Sequence, residues 1–119
     1  MVNIYDTANQ LAEDLKQTPE YDAVTAAIAA VKLDTEALTL YQKMDELQKK
    51  LMTKQSAGQQ PSQEDQMQYQ TLSQQLKNNP KMADLMTKEE TLYKLLNDVQ
   101  EVFTKPLSEA YESLSNLGK

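Results

Sequence analysis

Apolar residues recur at helical spacing along most of the chain, and where the spacing slips the sequence supplies residues that cap helices. Ile4, Ala8, Leu11 and Leu15 form a stripe that predicts an amphipathic helix over about 3–17. Thr18-Pro19-Glu20 then offers an N-cap, a proline at the first helical position and an early acid, so a second helix is expected over 19–32. Val24, Ile28 and Val31 mark its apolar side, beside the small residues Ala23, Ala26, Ala27, Ala29 and Ala30. Beyond Lys32 the stripe loses phase and resumes as Ala37, Leu40, Met44, Leu47 and Leu51. Asp34 stands at the slip as the cap of a third helix, over 35–54.

Residues 55–61, Gln-Ser-Ala-Gly-Gln-Gln-Pro, read as a loop. Ser62-Gln63-Glu64-Asp65 has the form of a capping box with Asp in the reciprocal place, opening a fourth helix over 62–77 with a thin stripe of Tyr69, Leu72 and Leu76. Nine of the 21 residues from 55 to 75 are Gln, so this helix is expected to be solvated and weakly held. Asn78-Asn79-Pro80 ends it and starts the next. From there a heptad pattern over 80–104 places Met82, Leu85, Leu92, Leu96, Val99 and Phe103 in one seam, interrupted by Glu89 and widened by Leu95 and Val102. Pro106 lacks an amide donor and disfavours helical geometry at Lys105, so it should kink or end the helix. A last helix is expected over 106–117, carrying Leu107, Ala110, Tyr111, Leu114 and Leu117 before Gly118.

Leu, Ile, Val and Phe make up only 24 of 119 residues, the edge at which a charged chain can stay unfolded. The pattern decides otherwise. Two Gly and four Pro are too few for a turn-rich β domain, and Ala, Leu, Lys, Gln, Glu and Met are good helix formers. The expected fold is all-α: a multihelical bundle of five to six helices, with long helices, in one helical domain over 1–119. A 25-residue helix rises about 37 Å, whereas a compact body of this length has a radius of gyration of about 13–14 Å. The longest helix must therefore cross the domain or project from it. Its apolar seam then favours a homodimer over a flattened monomer in which the 35–54 and 62–77 helices cover the seam.

Composition narrows the chemistry. The chain has no His, Cys or Trp, and its 12 basic residues are all Lys. Cys/His zinc sites, iron-sulfur ligation and Ser-His or Cys-His nucleophiles need side chains that it lacks. Neither an enzyme nor a cofactor or metal site is expected. The pairs Asp45-Glu46, Glu64-Asp65 and Glu89-Glu90 are adjacent in sequence and so point about 100° apart on a helix, which suits solvated faces rather than a shared proton or metal. Glu89 is expected at an edge of the seam next to solvent. The methionines are expected to fill gaps in the core, and Tyr5, Tyr21, Tyr41, Tyr69, Tyr93 and Tyr111 to be half-buried packing residues.

The net charge is −6, spread evenly over both halves, which argues against direct nucleic-acid binding. Binding of RNA would require Lys49, Lys50 and Lys54 to join lysines from another helix or subunit. No apolar run reaches the roughly 20 residues that cross a bilayer. The N-terminus has no signal-peptide character, and a cytoplasmic protein without membrane contact is expected.

Val2-Asn3-Ile4-Tyr5-Asp6-Thr7-Ala8-Asn9-Gln10-Leu11-Ala12, Thr18-Pro19-Glu20-Tyr21, the segment 31–37 (Val-Lys-Leu-Asp-Thr-Glu-Ala), Asn78-Asn79-Pro80 and Lys105-Pro106-Leu107 occur in an order and spacing that resemble the YlbF/YmcA family. The likeness is to its YheA-type branch of small helical proteins from Gram-positive bacteria. The resemblance implies an all-helical, self-associating cytoplasmic protein with no catalytic residues to transfer. It links some members to competence, sporulation, biofilm formation and messenger-RNA processing. Cysteine-held iron-sulfur clusters associated with those members do not carry over to a chain without Cys. The expected function is a non-enzymatic interaction module with a protein partner, a regulatory adaptor in character. The alternative is an accessory factor of messenger-RNA processing or of competence, sporulation or biofilm control that contacts RNA directly. A small secreted helical hairpin is disfavoured by the absence of Trp.

Overall fold

Asn3 starts the first helix by accepting the Tyr5 and Asp6 amides on its side-chain oxygen, at 3.1 and 3.3 Å. The structure, a computed structural model, describes residues 2–117 and places them in five helices, with no strand among the described residues. Helix α1 is Ile4–Leu15. Thr18 accepts the Tyr21 amide at 3.1 Å and donates to the Leu15 carbonyl at 2.8 Å, closing α1 and opening α2, Pro19–Leu33. Asp34 then accepts the Ala37 amide at 2.9 Å, and α3 runs Thr35–Ser56.

Gly58 ends α3 at φ +74°, a left-handed conformation that glycine adopts without penalty. Its amide and that of Gln59 close back on the Gln55 and Lys54 carbonyls, a Schellman turn. Ser62 opens α4, Gln63–Asn78. Asn79, buried, accepts the Lys81 and Met82 amides and opens α5, Pro80–Ser115.

The buried apolar residues belong to α2 (Val24, Ala27, Val31), α3 (Ala37, Leu40, Met44, Leu47), α4 (Leu72, Leu76) and the start of α5 (Met82, Leu85). Helix α2 packs most extensively on α5, and α3 on α4, while α2–α3 and α4–α5 contacts close the ring. Helix α1 contributes no buried residue. The result is long rather than round: the radius of gyration is 19.8 Å, well above the roughly 13–14 Å of a compact chain of this length. Helix length explains it. The 36 residues of α5 rise about 54 Å and the 15 of α2 about 22 Å, so α2 can cover less than half of α5.

A separate last helix does not form. Helix α5 passes through Pro106 without ending, and Gly118 lies outside the described residues. At Pro19 and Pro80 the preceding residue is Thr or Asn, whose side chain caps a new helix. Lys105 has no acceptor to offer there. The bond that Pro106 removes would have ended on the Val102 carbonyl, and both residues are exposed, so water can solvate the freed group. Pro106→Ala is expected to restore that bond and to stabilise the distal part of α5 by up to about 3 kcal/mol. Amide exchange should slow at residues 102–115 and stay unchanged in α3.

Candidate functional site

The six seam residues fall into two groups. Met82 and Leu85 lie in the chain's own core, and Leu92 packs against it. Val99 is half-buried, Leu96 is 36% exposed and Phe103 is 62% exposed. Beyond Phe103 the stripe continues through Leu107, Ala110 and Leu114 at spacings of three and four, so these lie on one face of α5, and Leu117 follows just past its end. From 100 to 117 every residue except Thr104 is exposed. Ile4 and Leu11 of α1 are exposed as well. The two segments that reach out of the four-helix core thus each carry an uncovered apolar stripe, while Leu33, Met52 and Met67 are exposed singly on the core helices.

The tyrosines depart from expectation. Only Tyr21 is half-buried, because Tyr5, Tyr93 and Tyr111 lie on or near the projecting segments and Tyr41 and Tyr69 line an open groove. The methionines divide: Met44 and Met82 fill the core, Met86 packs on it, and Met52 and Met67 are exposed.

One acidic pair also departs from a solvated reading. Asp65 is 1% exposed. Its carboxylate accepts the Ser62 amide at 3.1 Å while its own amide donates to Ser62 Oγ at 3.0 Å, a complete capping box. Lys50 Nζ lies 3.2 Å from Asp65 Oδ1, and Lys54 Nζ donates to Oδ2. These bonds, led by that from Lys54, hold the Asp65 carboxyl well below the usual carboxylate range. They pin the first turn of α4 to α3 across the loop, which gives the Gln-rich helix a firmer seat than its thin stripe predicts.

A carboxyl whose folded pKa is depressed stabilises the fold above its unfolded value of about 3.9 and loses that contribution as pH falls below it. The urea midpoint should therefore drop steeply below about pH 4. Asp65→Asn should lower the midpoint at neutral pH and flatten the acid limb.

The same contacts dispose of a cationic cluster. Lys49 pairs with Asp45 at 3.0 Å, and Lys50 and Lys54 with Asp65, so none of the three is a free cation awaiting phosphate. Glu46, Glu64 and Glu90 are exposed. Glu89 is half-buried, and burial raises its pKa above the ordinary value. It has no ion pair among the described residues.

The family described as "Control of competence regulator ComK, YlbF/YmcA" matches residues 4–108. A UPF0342 protein of Lactobacillus acidophilus is 48% identical over 114 residues, covering 96% of this chain and 98% of its own. One of Lactobacillus helveticus is 47% identical over 116 residues, covering 98% and 100%. Among solved structures, a protein of unknown function (DUF964) from Bacillus stearothermophilus superposes with a TM-score of 0.81 at 24% identity, over 92% of this chain and 96% of that one. At that identity the likeness concerns the fold.

Proposed function

This chain belongs to the YlbF/YmcA family, and from that premise we propose that it is a non-enzymatic, cytoplasmic protein-interaction module that works as a homodimer. The observation that carries the reading is the exposed apolar face of α5 from Leu96 to Leu114, continued by Leu117 past the helix end. Seven large side chains contribute: Leu96, Val102, Phe103, Leu107, Tyr111, Leu114 and Leu117. At about 100 Å² for a fully exposed apolar side chain, partly covered as these are, they offer on the order of 400 Å² per chain. With the flanking polar atoms this approaches the roughly 800 Å² per partner of a stable interface.

The family's description, control of the competence regulator ComK, supports a regulatory role. An adaptor of this kind needs a dimer face and a face for its partner. The dimer face can be tested cleanly because the chain has no cysteine. Leu107→Cys on the seam should form an intermolecular disulfide under mild oxidation. Glu109→Cys, about 200° away around the helix, should not. Equal cross-linking of both, or of neither, would argue against the face.

A further inference from the structure

A groove of about 860 Å³ lies between α3, α4 and α5, alongside the core half of α5. Its floor is the half-buried Met86 over the core residues Met44 and Met82, its walls carry Tyr41 and Tyr69 among polar residues such as Gln48, Gln70 and Gln74, and Glu89 lines its α5 side. We propose that this groove is a docking site for a basic amphipathic helix of a partner protein, with apolar side chains on Met86, Tyr41 and Tyr69 and a Lys or Arg on Glu89. The inference does not rest on the dimer face, which involves other residues.

Three observations carry it. The first is length. The lining residues run from Tyr41 to Gln48 on α3, Tyr69 to Lys77 on α4 and Met82 to Glu89 on α5, about 10–12 Å along each helix. That is the span from i to i+7 on a docked helix, the reach of the anchors by which an amphipathic helix seats itself in a groove. The second is the lining. The trench is open to solvent rather than closed around a small molecule, and the Met86 thioether, flanked by two exposed tyrosine rings, adapts to apolar groups of varied shape.

The third is charge. Of the charged residues that line the groove, Asp45 is paired with Lys49, Lys77 is exposed to water, and Glu89 alone is half-buried with no ion pair among the described residues, although its neighbour Lys88 pairs with Asp84 at 3.8 Å. A half-buried carboxylate without a counter-ion gains most from a ligand that brings a cation. The projecting segments of a second copy do not qualify. Helix α1 carries Asp6, Glu13 and Asp14 and no basic residue, and residues 96–117 carry Asp98, Glu101, Glu109 and Glu112 against Lys105 alone. The occupant is therefore a different protein, and the net charge of −6 favours its approach if it is basic.

Fluorescence anisotropy with labelled helical peptides tests this. A Leu/Lys peptide with a single apolar face should bind the wild-type chain, whereas a Leu/Glu peptide of the same pattern and a Leu/Lys peptide of scrambled pattern should not. Glu89→Gln should weaken binding about tenfold, and Met86→Asp should abolish it. The variant carrying Leu96→Asp and Phe103→Asp should bind as wild type does. Undiminished binding by Glu89→Gln, equal binding of the scrambled peptide, or loss of binding in the seam variant would overturn the proposal. So would failure of the patterned Leu/Lys peptide to bind the wild-type chain.

Discussion

Leu96→Asp combined with Phe103→Asp is expected to leave the helices intact and to separate the proposed dimer into single chains. Neither residue belongs to the chain's own core, so the monomer keeps its packing. In a dimer built on this face, each chain would bring two carboxylates into an apolar contact, a desolvation penalty of several kcal/mol. Association should weaken by at least about a thousandfold. Circular dichroism should change little. The melting temperature of the wild type should rise with protein concentration, and that of the variant should not, because only a coupled equilibrium carries a concentration term. A variant that melts with the same concentration dependence as wild type would place the interface elsewhere.

The second large effect belongs to the core. Leu47→Ala is expected to destabilise the chain by about 2–5 kcal/mol, through the lost transfer energy of the side chain and the cavity left behind. Leu47 is among the most deeply buried large residues of α3, and the core that it serves is small. A typical domain has only about 5–15 kcal/mol of stability to begin with, so this one substitution removes a large share. Leu114→Ala makes the useful contrast. It deletes the same side chain from an exposed position on α5, and in the monomeric seam variant its effect should stay within about 0.5 kcal/mol. Urea unfolding of both variants at unchanged m-value gives the comparison directly.

What the sequence reveals here follows the range of the interactions involved. Thr18, Asp34, Ser62 and Asn79 cap their helices through side-chain bonds to amides two or three residues on, and such local bonds leave a local signature. The all-helical class is legible for the same reason. Pro106 misleads because the proline is visible at once, while the absence of a capping acceptor at Lys105 has to be noticed beside it.

Burial is less legible. The pair Glu64-Asp65 looks like any acidic surface, yet Asp65 is held by Lys50 and Lys54, which arrive from α3 across the loop. The spacing of those lysines by four residues on α3 was the available hint. The seam is the most instructive case. Its periodicity from Met82 to Phe103 is plain in the sequence. That Met82 and Leu85 face this chain's own helices while Phe103 faces solvent depends on where α2 and α4 stop. Periodicity specifies a face. It does not say which neighbour covers it.

In the proposed dimer a second copy of the chain covers the outer half of α5. Sedimentation equilibrium of the wild-type protein at high micromolar concentration measures this most directly. The predicted result is a particle of twice the 13.5 kDa chain mass, dissociating on dilution. A mass of 13.5 kDa at every concentration would contradict it.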